Sequence, residues 1–478
     1  MQNPAFFPLI LATIATLGLA SPAQSEGEVI TKQYNDGSVY EGTFKDGLQH
    51  GTGSYRLPSG FEYDGAWVAG QIEGMGRARY PNGSVYEGAF KAGKPEGTGK
   101  ITYADGGSYE GGWVAGEIMG LGRASYADGA VYEGQFTSGK HNGSGKLTDA
   151  KGLAYEGQWV MGVKEGKGRI TYPDGGTYDG DFKADQRHGT GHLALPDGFD
   201  YQGDWVEGQI NGTGKLTLPT GDIYDGQLIK GQREGTGRIS YADGSAYDGG
   251  WKADKRHGQG NMTHPDGSGY RGAWVEGRMQ GQGQMRYADG ASYQGSFVAD
   301  LPEGRGKITY PDGSAYDGTW AAGVMTGTGT LTHANGAVYV GTVVAGKPEG
   351  RGVMTYPDGY SYDGMWKAGL REGAGKATWA DGTVYEGSFQ ADKRHGKGTL
   401  TQADGFVYQG DWDKGEMQGQ GRAAYPTGDV YEGGFAKGKR QGPGKLTYKK
   451  GESTEGMWEN GILKAPLPTP QPAPQPAP

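Results

Sequence analysis

Tyr86-Glu87-Gly88-Ala89-Phe90-Lys91-Ala92-Gly93-Lys94-Pro95-Glu96-Gly97-Thr98-Gly99, continued by Lys100-Ile101-Thr102-Tyr103-Ala104-Asp105-Gly106, is one copy of a 23-residue unit. From Tyr40 to Thr454 the unit opens nineteen times without insertion or deletion, the first eighteen times on Tyr. Spacing this strict means one supersecondary element repeated many times. With the opening Tyr as position 1, glycine holds position 3 in all nineteen units and positions 12, 14 and 21 in all eighteen complete ones.

The repeat overrides the expectation from length, which for 478 residues would be about three domains. Composition and period stay constant from Tyr34 to about Gly461, so 34–461 reads as one continuous array, with 26–33 as a short linker. The 97 glycines and 34% hydrophobic content are too little for a thick core, while 11% aromatic residues argue against disorder. Pro4 to Ala20 is uncharged and apolar, and small-residue exits follow at Ser21-Pro22-Ala23 and Ala23-Gln24-Ser25. Residues 1–25 therefore read as a signal peptide and the protein as exported, periplasmic or extracellular, with the mature chain starting near Gln24 or Glu26. Lys and Arg are missing ahead of the apolar stretch, which leaves an uncleaved anchor as the alternative. The stretch 462–478 ends in alternating prolines and reads as a disordered, polyproline-like tail. The chain has no Cys, which excludes disulfides, thiolate metal sites and a Cys nucleophile.

Within a unit, period-2 alternation separates two faces. Positions 1, 3 and 5 carry Tyr, Gly and Trp or Phe, and positions 14, 16 and 18 carry Gly, an aliphatic and usually Tyr; positions 2, 13, 15 and 17 are acidic, small, basic and Thr-like. Each unit is thus two short strands around a polar loop. Pro173-Asp174-Gly175 and its equivalents suit a three-residue hairpin loop with Gly at the left-handed position. That loop sets position 18 opposite 22, and position 15 opposite position 2 of the next unit. All eleven basic residues at position 15 then face an acid, Lys100 facing Glu110, Lys215 facing Asp225 and Lys376 facing Glu386 among them. Pairing inside one unit would set Lys215, Lys307 and Arg422 against Gln202, Gln294 and Gln409, and it explains fewer cases.

Glycine inside a strand costs about 0.5–1 kcal/mol relative to Ala, so its place at positions 3 and 14 calls for a flat ring lying over bare backbone. A single layer is expected to leave much of the outer surface of the rings open. Trp67, Trp113, Trp159, Trp205, Trp251, Trp320, Trp366 and Trp412 on position 5 are accordingly the candidate partner-binding aromatic face.

Together with Lys393-Arg394-His395-Gly396-Lys397-Gly398, the quoted motif resembles the membrane occupation and recognition nexus, or MORN, repeat over nearly the whole array. The resemblance implies an all-β fold: an elongated single-layer antiparallel sheet of tandem β-hairpins, curved and twisted, without a covering helix layer. It also implies a scaffold that self-associates or holds partners, with links to membranes and phosphoinositides. Nineteen two-strand units at about 4.8 Å per strand would measure on the order of 170–180 Å.

Catalysis has little footing. The Gly-x-Gly sites never form GxxxxGK[ST] or GxGxxG, and the carboxylates recur in every unit as partners of Lys or Arg rather than as one acid–base pair. His50, His188, His257 and His395 share position 11, the nearest two being three units apart, roughly 29 Å. No enzyme activity, cofactor or metal is expected. The expected partners are a protein or a second copy. Anionic lipid is a further candidate at loop positions 9 and 10, which carry Lys94, Lys140, Arg187, Arg233, Lys255, Arg256, Lys393, Arg394, Lys439 and Arg440. Glycan stacked on the aromatic ladder is the alternative function. A net charge of −9 disfavours nucleic acid.

Overall fold

The computed structural model describes residues 27–466. They form 39 strands and no helix, numbered here β1 to β39 in chain order. Two compact units divide the chain, one up to Ile210 and one from Asn211. In each unit consecutive strands pair antiparallel into an open meander, as β6 (Val85–Lys91), β7 (Lys94–Thr102) and β8 (Ser108–Val114) do.

The loop from β7 to β8 has the expected three residues. Tyr103 N donates to Gly107 O at 2.8 Å and Gly106 N to Tyr103 O at 3.1 Å. Gly106 sits at φ +90°, where an L side chain is strained, and Asp105 Oδ1 accepts from Gly107 N at 2.9 Å. This loop places Lys100 opposite Glu110, Lys376 opposite Glu386 and Lys215 opposite Asp225, the register expected from charge. The within-unit pairing also exists, since every inner strand of a meander has two neighbours. Lys307 lies between Gln294 and Asp317, and Arg422 between Gln409 and Glu432. The two registers set against each other above are the two sides of one strand.

The connection inside a unit is tighter than a polar loop. Ala92 and Gly93, at φ +48° and +76°, form a two-residue turn between the paired residues Lys91 and Lys94. Two positive φ values match the strand twist. Positions 9 to 11 therefore belong to the second strand, not to a loop. A bulge between Gly88 and Phe90 absorbs the extra residues of the longer strand and leaves Gly97 at φ +75°. The Glu at position 11 supports the next turn: Glu96 Oε2 accepts from Ala115 N at 2.7 Å, as Glu303 does from Ala322 and Glu234 from Ala253.

The glycines at positions 3 and 14 face each other across the strand pair, Gly88 opposite Gly99. A Cβ on Gly88 would lie 2.5 Å from the Cα of Gly99, and one on Gly99 would overlap the Tyr86 ring. The flat ring expected over bare backbone is this Tyr, and its hydroxyl donates to Ala89 O at 2.9 Å. Wherever position 5 is aromatic, a Tyr opening its own unit or the preceding one meets it edge to face, as Tyr86 does Phe90 at 5.0 Å and Trp113 at 5.1 Å. Trp113 Nε1 donates to Gly99 O at 3.1 Å. The core is this zigzag of rings, interrupted in the second unit at Leu228 and Val343.

The sheet extends past both expected ends of the array. Within the 26–33 linker, β1 (Ile30–Gln33) pairs with β2 (Val39–Lys45), and Lys32 Nζ lies 5.7 Å from the centre of the Phe44 ring. Within the 462–478 tail, β39 (Ile462–Pro466) pairs with β38 (Ser453–Glu459), setting Leu463 opposite Trp458. The terminal rings need a covering strand, and these segments supply it. The expected signal peptide and the rest of the tail lie outside the described residues.

Candidate functional site

The two faces of the sheet differ from the expected division of labour. Tyr at position 1 is essentially inaccessible from Tyr40 to Tyr431, and Trp67, Trp113, Trp159, Trp205, Trp251, Trp320, Trp366 and Trp412 are only 2–5% exposed. The expectation of an open aromatic face is corrected: the rings are closed core. What closes them is position 10, which lies in the second strand directly opposite position 5, as Pro95 lies opposite Phe90, Ile118 opposite Trp113 and Met417 opposite Trp412. The sequence reading missed this because it took positions 9 to 11 for loop; on the second strand position 10 shares the face of positions 14, 16 and 18, as Pro95 does with Gly99 and Ile101.

Where position 10 is Arg, it stacks on a ring. The guanidinium carbons of Arg187, Arg256, Arg394 and Arg440 each lie 4.1 Å from the centres of Trp205, Trp274, Trp412 and Trp458. Their Nη2 atoms donate to Gly208, Gly277, Gly415 and Gly461 carbonyls at 2.8–3.1 Å. Arg233 stacks on Trp251 at 4.3 Å and pairs with Asp254 at 3.0 Å. Five of the ten expected margin cations are thus committed to the core, and Lys94, Lys140, Lys255, Lys393 and Lys439 at position 9 are the ones left exposed. His141 takes position 10 in its unit. It stacks flat on Tyr132 at 3.6 Å and meets Tyr126 Oη through Nε2 at 2.6 Å, and burial pushes its pKa down to about 4.

The opposite face carries the accessible chemistry. Arg77 pairs with Glu87 at 3.0 Å, Arg123 with Glu133 at 2.8 Å, Arg422 with Glu432 at 3.3 Å and Lys445 with Glu455 at 2.9 Å, all about half exposed. Such pairs contribute about 0.2–1 kcal/mol each, so their main effect is a row of alternating charge. Among the described residues no group of three or more His, Asp or Glu could hold a metal ion. His192 lies 2.7 Å from Asp200 and His395 3.3 Å from Asp413, two separate contacts on the surface.

A ring zigzag over paired glycines, repeated every 23 residues, defines a tandem β-hairpin repeat protein. The MORN repeat family model matches eighteen stretches between residues 40 and 453, including 86–108 and 385–407, and the chain belongs to that family. No curated protein matches it. Solved structures with some likeness include the TCP10c domain of Drosophila melanogaster Sas-4 (14% identity, 37% of this chain and 100% of that one, TM-score 0.21). Another is the SAS-4 TCP domain of the same organism in complex with a proline-rich motif of Ana2 (18%, 44% and 99%, TM-score 0.18). A third is virginiamycin B lyase from Staphylococcus aureus (8%, 68% and 94%, TM-score 0.11). TM-scores this low carry no argument about function.

Proposed function

We propose that this chain is an exported, non-enzymatic scaffold that holds a protein partner or a second copy through the charged face of its sheet. The observation behind this reading is the contrast between the faces: rings at 2–5% exposure on one, and half-exposed alternating charges on the other. A protein surface with matching charges gains specificity and association rate from such a row. Glycan stacking loses its ground, because the indole faces are already covered by position 10. Anionic lipid stays a second reading for the exposed position 9 lysines alone.

Proximity labelling in the native cell, with the wild type and with a Glu110→Lys, Glu133→Lys, Glu156→Lys variant, tests the reading. Loss of the captured partner with unchanged strand content is expected; unchanged capture would contradict it. Mass spectrometry of the native protein should find the N-terminus near Gln24 or Glu26, and residues 1–20 still attached would count against export by a cleaved signal.

A further inference from the structure

One stretch of the array departs from the charge pattern. No Asp, Glu, Lys or Arg occurs between Asp317 and Lys347. This stretch contains β27 (Val324–Thr332) and β28 (Val338–Val344) and is followed by β29 (Lys347–Thr355). On β28 the buried residues alternate with Val338, Val340, Thr342 and Val344 on the charged face. At the positions where other units set acid against base, Val340 lies directly opposite Val353. Both are open to solvent, Val340 at 55% and Val353 at 38%. Charge resumes at once on either side: Asp317 beside Lys307, and Asp363 beside Lys376, which in turn faces Glu386; on β29 itself Arg351, two residues from Val353, pairs with Asp363 at 3.6 Å.

We propose that this band is the centre of a face-to-face dimer of two copies of the chain. The inference rests on the self-association half of the reading above. An axis parallel to the strands, between β28 and β29 and midway between the copies, lays each strand over its mirror position. Even-numbered strands carry the acidic positions and odd-numbered ones the basic positions, so any such axis sets acid over base. Here it sets Val340 over Val353 of the second copy, Thr330 over Asp363, Asp317 over Lys376 and Lys307 over Glu386. Self-complementarity of this kind is what a two-fold interface requires; an unrelated partner would need its own charge row at strand spacing. The apolar pair explains why the axis falls here. Desolvation is most complete at the centre, where the valine pair and Thr330 carry no charge and Arg351 is already matched by Asp363, and charge is tolerated at the rim. About eight strands of seven residues present roughly 900 Å² per copy, the size of a standard interface.

Sedimentation equilibrium of the full chain tests this, with circular dichroism as the control for folding. The wild type is expected to dimerise reversibly. Val340→Lys with Val353→Lys sets Lys over Lys at the centre, and the dissociation constant should rise by about 100-fold or more. Asp317→Lys should weaken the dimer about tenfold, and adding Lys376→Asp should restore it. A wild type that stays monomeric at about 100 μM overturns the dimer but leaves capture of another protein standing. A dimer that ignores the valine substitutions overturns this surface and places self-association elsewhere.

Discussion

Gly99 shows how a single atom decides the fold. A methyl group there would enter the Tyr86 ring, whereas one on Gly152, at φ +91°, would meet nothing within 4 Å. Gly99→Ala should therefore destabilise its hairpin by more than about 2 kcal/mol, and Gly152→Ala only by backbone strain of about 1 kcal/mol. Amide hydrogen exchange resolves the two locally, which matters because a repeat array need not unfold in one step. Titration follows burial as well. Burial pushes the Tyr63, Tyr86 and Tyr109 hydroxyls up to about 12 from an ordinary value of 10.0. Their unfolded forms lose protons first, so stability is full below pH 10 and should fall between pH 10 and 12. His141 has the opposite sign: neutral in the fold down to about pH 4, it is protonated more readily when unfolded, so its hairpin should weaken as pH falls from about 6.5 to 4. A His141 resonance titrating near 6.5 in the folded protein would contradict the stacked geometry.

The hairpin was legible where residue identity and geometry coincide. Asp-Gly after a Pro or Ala specified the three-residue loop, and the acid–base correlation specified the register. Gly-x-Gly gave no equally direct sign of the bulge, because Gly97 is needed for its positive φ and Gly99 for the ring above it. The first residues of the second strand therefore read as loop, and position 10 was taken for a margin rather than a lid. Glu96 could have signalled the tight turn, since Glu holds position 11 one unit before seven of the ten left-handed Ala residues. Glu96→Ala should cost about 0.5–1.5 kcal/mol and speed exchange of the Ala115 amide, while Glu96→Gln should keep most of the bond; equal exchange in all three proteins would dismiss the contact.

For the molecule as a whole, period and composition were enough for the family and the single-layer hairpin array, yet they left open a ring face that the structure buries. The unit length said where the rings recur but not that residues five places on would fold back over them. Ten of the eleven tryptophans hold position 5 at 2–5% exposure, and Trp379, at position 18, is half-buried. Acrylamide quenching of the full chain and of Trp379→Phe tests the sealed core most directly. The account predicts that most emission resists quenching and that the substitution removes most of the quenchable part. Strong quenching that persists in Trp379→Phe would mean an open aromatic ladder, and would return the binding face to the tryptophans.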